Sequence, residues 1–316
     1  AESFRRKDGL VLLTRAVSPD RDAKDRTWPT GMPDRSLYAI FGHHKCATMW
    51  LEDIARLACQ RLNLRLGVVY NEDQFERDLP AWLARERTDF LVYGNADIEY
   101  TRALPDFRGV HIIRDPRDIV VSAYYSHLHS HSTSGWKELV AHRERLKTLD
   151  KDAGLAEEIR FRARSFGHMA TWDYDQENVL EIRFEDIAVS SYETILSAFE
   201  WLGLVDDREV YTRTARAAFL GRDIVARFNA RTGGFLPTGN LIRALPAPEV
   251  LAIVWHHRYA RRAKGREKGK EDVRSHYRSG RSGDWRNHFT DEHKALFKSL
   301  YPDLVPRLGY APTDDW

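Results

Sequence analysis

The sequence predicts an α/β fold of three layers, with a central, mostly parallel sheet flanked by helices. Two observations carry that reading. Short apolar runs recur at Leu37–Phe41, Leu66–Tyr70, Phe90–Tyr93, Val110–Ile113 and Val179–Phe184. Such runs are apolar at successive positions, as strands covered on both faces are. Helical patterns lie between or after them, and strands alternating with helices build parallel sheets. At 316 residues and 42% hydrophobic content, the chain has ample material for a core and is read as a single domain spanning 1–316.

The elements follow in order. After the first strand, residues 48–62 place Trp50, Leu51, Ile54, Leu57, Ala58 and Leu62 on one helical stripe. Residues 117–128, 155–175 and 191–202 also read as helices. Residues 258–286 are polar, basic and glycine-rich, read as a solvated helix end and a mobile basic loop over about 258–283. A terminal helix follows, with Thr290 as its N-cap.

Bulk properties exclude several functions. The formal net charge is +2, so no nucleic-acid partner is expected and any anion site must be local. There is no apolar run long enough to span a membrane, no signal peptide and no Asn-x-Ser/Thr acceptor. The two cysteines, Cys46 and Cys59, make no disulfide framework, and a reducing, cytoplasmic location is expected.

Three motifs carry the chemistry. In "IFGHHKCATMW" a strand turns into a helix start, aiming backbone N–H groups and the positive helix end at one point. Gly42 is read as the turn residue, Lys45 as a full charge at the mouth and the Thr48 hydroxyl as a further donor. A triphosphate loop needs Gly-x4-Gly-Lys-Ser/Thr, whereas here Cys46 stands where the magnesium-ligating hydroxyl would be. Zinc at His43–His44 is disfavoured because adjacent imidazoles diverge. No metal is expected. In "IIRDPRDIVVSAYYSH", Arg114 ends a strand, Asp115 and Pro116 start a helix, and Ser122 lies about two turns in. In "YRSGRSGDWRNHF", a glycine-rich basic loop can wrap an anion with backbone N–H groups and Arg278. Each alone is as easily a turn, a surface ion pair or a charged loop. Together they predict two phosphate-like subsites. "GREKGKED", residues 265–272, follows no strand and lacks a hydroxyl after Lys270, so it is discarded as a nucleotide loop.

The ordered trio resembles the sulfotransferase family that uses 3′-phosphoadenosine 5′-phosphosulfate (PAPS). The resemblance rests on Lys45-Cys46-Ala47-Thr48-Met49-Trp50, on Arg114 through Ser122, on Phe184-Glu185-Asp186 and on Arg278 through Trp285, over residues 37–300. It implies a P-loop-like sandwich with PAPS as co-substrate and 3′,5′-adenosine bisphosphate (PAP) as product. Lys45 and the backbone of Cys46, Ala47, Thr48, Met49 and Trp50, flanked by His43, would hold the 5′-phosphosulfate. Arg114 and Ser122, joined by Arg278, Ser279 and Gly280, would hold the 3′-phosphate. Trp50 and Phe219 would sandwich adenine, with Phe184 beside the site. Ser279 replaces the lysine of the family's "R-K-G" version.

The acceptor, a small molecule or glycan carrying a hydroxyl or amine, must lose a proton to a general base. Small-molecule members carry "K-T-H" near the third strand, with the histidine as base, but Asn95 stands there in this chain. Asp97 and Glu99 are the nearest carboxylates, and His44, His127, His129 and His131 also flank the site. Asp97, His44 and His127 are therefore the candidate bases beside Lys45. "SHLHSHSTSGW" is read as a loop lining the acceptor pocket, its alternation spreading the rings apart. A catalytically silent nucleotide binder and a P-loop kinase are the competing readings.

Overall fold

The computed structural model describes residues 37–206 and 244–316, together with scattered positions between 217 and 232. Five parallel strands form the sheet: β1 (Leu37–Gly42), β2 (Leu66–Val69), β3 (Phe90–Tyr93), β4 (Phe107–Ile113) and β5 (Val179–Arg183). Their order is β2-β3-β1-β4-β5. All five predicted strands are present, β3 with the expected bounds and the others with one bound moved by one to three residues.

Both faces of the sheet are covered, as the apolar runs require. Along β1 the alternation is plain. Ile40 joins the cluster built on Leu51, Ile54, Val120 and Phe199, while Leu37, Ala39 and Phe41 join Leu79, Leu91 and Trp172 on the other side. The first cluster is roofed by α1 (Thr48–Leu62), α4 (Pro116–Tyr125) and α8 (Phe184–Trp201). The second lies beneath α2 (Leu79–Glu86) and the short α3 (Ile98–Thr101). Among the described residues no helix is long and apolar enough to cross a membrane.

Some elements differ from expectation. The stretch 155–175 is two helices, α6 (Lys151–Phe161) and α7 (Ala163–Thr171), meeting at Arg162. The helix at 117–128 ends as α4, and a π-helical turn, Ser126–Ser130, continues it. α5 (Lys137–Thr148) and the helix Ala247–His256 lacked a clear pattern in the sequence. The expected helix at 191–202 is part of α8, whose Ser190 is non-helical. Thr290 caps the helix Asp291–Leu300 as expected, accepting from the His293 N–H while His293 accepts from the Thr290 N–H.

The strand order fixes where the chain can bind a ligand. After β1 the chain crosses one way to β2, and β4 lies on the opposite side of β1. The loops leaving β1 and β4 therefore part at their carboxyl ends, and crevices form at such switch points. Lys45 follows β1, and Arg114 follows β4.

Gly42 does not make the turn. It is the last residue of β1, and positive φ falls instead on Lys45 (68°) and Ala47 (63°). Gly42 is needed for space, because a Cβ there would stand 2.6 Å from Thr48 Oγ1 and 2.9 Å from Ile112 Cγ2. Gly42→Ala is expected to destabilise the protein by about 1–3 kcal/mol, as overpacked core substitutions do. Urea denaturation should show a lower midpoint with an unchanged slope.

Candidate functional site

The turn after β1 is a backbone cradle. Left-handed residues at Lys45 and Ala47, with Cys46 between them, wind the chain tightly here, the alternation found in anion-binding backbone turns. For non-glycine residues that conformation costs roughly 1–2 kcal/mol each, so packing must enforce it. Two bonds do so: the Cys46 N–H and the Thr48 hydroxyl both donate to the His43 carbonyl, at 3.1 Å each. The Thr48 hydrogen is therefore committed to the turn, contrary to its expected role as an anion donor. Ala47 is the N-cap of α1 and no side chain caps that helix; the Trp50 and Leu51 N–H groups donate to the Ala47 carbonyl at 2.9 and 3.1 Å, leaving the Thr48 and Met49 N–H groups as the uncapped donors of the first turn. Met49 is exposed. The Cys46 thiol is buried and pushed up to about 12 by that burial, so it is no nucleophile.

Arg114 leaves β4 and reaches the same point. Its Nη1 donates to the Lys45 carbonyl at 3.1 Å, its guanidinium lies 4.2 Å from the centre of the Phe184 ring, and its Nε is buried without a partner. Asp115 caps α4 and holds Arg117 in a paired ion bond at 2.9 and 2.8 Å. Arg117 then bonds the Tyr310 carbonyl and lies on Trp285 and Trp316. Glu185 accepts from the Asp115 N–H and the Tyr310 hydroxyl.

The glycine-rich loop is pinned to α4 by Asp118. Its carboxylate accepts the N–H groups of Gly283 at 2.5 Å and Trp285 at 2.9 Å. Gly280, at φ 66°, turns the loop beside the Tyr259 ring. Arg278 is buried, bonded to Glu271 and to Asp284, and lies over Tyr125, one turn beyond Ser122 on α4. Ser279 is buried beside it and accepts from the Arg281 N–H.

Three arginines thus crowd Lys45. Burial and the charges of Arg114, Arg162 and Arg278 push its ammonium down to about 7, against a smaller opposing pull from Glu158. Arg162 was missed by the motifs. It and Glu158 sit one turn apart on the stripe of α6 that also carries Leu155 and Ile159, and all four are buried. A charged pair on an apolar stripe was the available signal. Arg162 Nε lies 2.9 Å from Glu158, and its Nη1 donates to His44 Nδ1 at 2.7 Å.

The two adjacent histidines diverge as expected. His43 is buried, with Nε2 2.9 Å from His111 Nε2, and His111 continues to Glu181 at 2.7 Å. His44 instead stacks on His127, with ring centres 5.1 Å apart. The expectation that alternation spreads the later histidines is corrected: the π-helical turn brings His127 and His131 to 5.5 Å, with Trp136 against both. His129 is exposed.

Asp97 is the N-cap of α3 and lies 3.4 Å from His168. Asn95 donates to the Tyr70 carbonyl. Trp50 is buried in the core, its Nε1 donating to the His257 carbonyl at 2.7 Å. Phe219 lies outside the described residues. Two trios among the described residues have metal-ligand geometry: His127, His142 and Glu158, and Glu271, Asp284 and His288. In each, a carboxylate is already paired with an arginine, Arg162 or Arg278.

Residues 98–208, from α3 past β5, match the sequence model described as the sulfotransferase family. This segment contains Arg114, Ser122, His127, Glu158 and Phe184, while Lys45 and Arg278 lie outside it on either side. No curated protein matches the chain. Solved structures that overlay it include mouse sulfotransferase SULT7A1 complexed with PAP, 15% identical, covering 88% of both chains with a TM-score of 0.45. Another is retinol dehydratase in complex with androsterone and inactive cofactor PAP, also 15% identical, covering 87% of this chain and 82% of that one, with a TM-score of 0.39.

The depressed Lys45 ammonium has a measurable consequence. An anion in the cradle favours the protonated form, so above pH 7 binding must be accompanied by proton uptake. Affinity for PAP is expected to fall modestly as pH rises from 7 to 9, by less than about tenfold in all, as Lys45 loses its proton in the free protein. Calorimetry in buffers of different ionisation enthalpy should show the uptake, and Lys45→Met should abolish it.

Proposed function

We propose that this sulfotransferase-family protein moves the sulfuryl group of PAPS to a hydroxyl or amine of a small-molecule or glycan-type acceptor. The observation that carries the reading is the convergence of Lys45, Arg114, Arg162 and Arg278 on a strained, buried turn, where burial first and the neighbouring arginine charges second bring the Lys45 ammonium down to about 7. Such a concentration of positive charge calls for a multiply charged anion. Lys45 and the cradle from Cys46 to Trp50 would hold the 5′-phosphosulfate. Arg114, Ser122, Arg278, Ser279 and Gly280 would hold the 3′-phosphate, with Arg278 exchanging carboxylate partners for phosphate.

Sulfuryl transfer resembles phosphoryl transfer in being loose and in line, with charge gathering on the leaving oxygen. Lys45 at the bridging oxygen would stabilise that charge in a partly dry site, where electrostatics act strongly. The kinase reading is weaker. Cys46 is buried and cannot ligate magnesium as a hydroxyl does, and the Thr48 hydroxyl is bonded within its own turn.

Lys45→Ala is expected to lower turnover about 100-fold or more while changing PAP affinity far less. Release of labelled sulfate from PAPS, beside calorimetric binding, separates the two effects. Arg114→Ala is expected to weaken PAP about 10- to 100-fold and adenosine 5′-monophosphate little. Equal losses for both nucleotides would refute the 3′-phosphate assignment. Arg114→Lys, which keeps a charge without the paired fork, should fall between.

A further inference from the structure

We infer that His127 is the general base, that Glu158 is the positioning residue that makes it one, and that His44 is a paired donor to the transferring group. This rests on the sulfotransferase reading and adds the residues that move the proton.

The hydrogen bonds fix which nitrogen of each ring carries the hydrogen. An arginine can only donate, so the 2.7 Å bond from Arg162 Nη1 makes His44 Nδ1 an acceptor. His44 is neutral, since burial and the Arg162 charge push it well below its ordinary value. Its hydrogen is therefore on Nε2. His127 is the mirror case. Its Nδ1 lies 3.0 Å from a Glu158 oxygen that also takes His142 Nε2 at 2.7 Å. Burial alone would raise the Glu158 carboxyl, but the charges of His127 and Arg162 and the hydrogen bonds from His127 and His142 hold it well below the carboxylate range. An ionised carboxylate accepts, so His127 Nδ1 donates and Nε2 carries the lone pair. Burial pushes His127 down to about 4, leaving that lone pair open at neutral pH.

Two stacked imidazoles 5.1 Å apart are thus locked in opposite tautomers, one by an arginine and one by a glutamate. In both rings Nε2 is buried with no partner. Unmatched buried polar atoms are costly and call for a ligand. His44 directly precedes Lys45, and His131, packed 5.1 Å from His44, feels the Lys45 charge. His142 differs: its ring is flat against Phe161, with centres 3.8 Å apart, and its bond to Glu158 makes it a support.

The step balances with no further reactant. The acceptor hydroxyl gives its proton to His127 Nε2 as its oxygen bonds to sulfur. The bridging S–O bond breaks, and its electron pair stays on the 5′-phosphate oxygen beside Lys45. His44 Nε2–H donates to a sulfuryl oxygen throughout. The imidazolium at His127 is neutralised by Glu158 and later loses its proton to water.

The test uses the full chain with PAPS and, as acceptors, a set of phenols from acidic nitrophenols to weakly acidic alkylphenols, together with water. His127→Gln and Glu158→Gln are compared with wild type, and folding is checked by thermal denaturation. We expect PAP affinity within about threefold of wild type. Turnover on alkylphenols should fall about 10²- to 10⁴-fold, the usual worth of a general base. The loss on nitrophenols, which arrive largely as phenolates, should be much smaller. An equal loss across the series would overturn the base assignment. Should a variant fail to fold, ¹⁵N-histidine NMR of wild type decides: His127 must show an unprotonated Nε2 and His44 a protonated one, and any other pattern refutes the pair. An active wild type whose variants lose equally across the series sinks the inference alone, whereas a wild type that binds PAP but spends no PAPS on any phenol or on water sinks the transfer reading with it. Wild type that does not bind PAP would sink the function on which it rests.

Discussion

One hydrogen bond holds the site together: Arg114 Nη1 to the Lys45 carbonyl. It joins the loop after β1 to the loop after β4, where the strand order reverses. The same guanidinium lies on Phe184, the first residue after β5. A single side chain therefore fastens the carboxyl ends of three neighbouring strands. It also lets a backbone oxygen face a cluster of cations that would otherwise repel one another, and it helps hold Lys45 in a conformation its side chain disfavours. A hydrogen bond to a charged group contributes about 1.5–3 kcal/mol, comparable to the strain of the two left-handed residues. The cradle is thus stable only as part of the sheet's edge geometry.

The second motif divides its labour. Arg114 reaches back to the Lys45 carbonyl, while Asp115, Arg117 and Asp118 build the frame. Arg117 is the most committed, with its paired bond to Asp115 and its place between Trp285 and Trp316. A charged residue this dry is sustained because its donors are taken and its faces are covered by rings. The C-terminal segment is thereby stitched to α4.

The fold was legible because the five strands are continuously apolar and α1 carries a clean stripe. The site was legible where local geometry makes it, at the strand-to-helix junctions of Lys45 and Arg114. What escaped depends on distance in sequence. Glu158 meets His127 from 31 positions away, and Arg162 meets His44 across 118. No local pattern announces either partnership. The stretch 155–175 read as one helix because its apolar period survives the break at Arg162, where φ −80° and ψ −3° depart only slightly from helical values. Gly42 was misjudged for a related reason: composition shows that a glycine is present, and only the packing of Thr48 and Ile112 shows what it is for.

The basic stretch before Asp284 is moored at both ends. Arg262 is bonded to Asp53 on α1, and Gly283 with Trp285 is bonded to Asp118 on α4. Between these moorings Arg266 ties the strap to itself, through the carbonyls of Lys270, Tyr277 and Arg278. The strap behaves as a cassette. Its inner length and composition can drift, or be exchanged by design, while α1 and α4, the two helices it joins, stay in register. Selectivity encoded in this strap would therefore be free to diverge without re-engineering the chemistry beneath it.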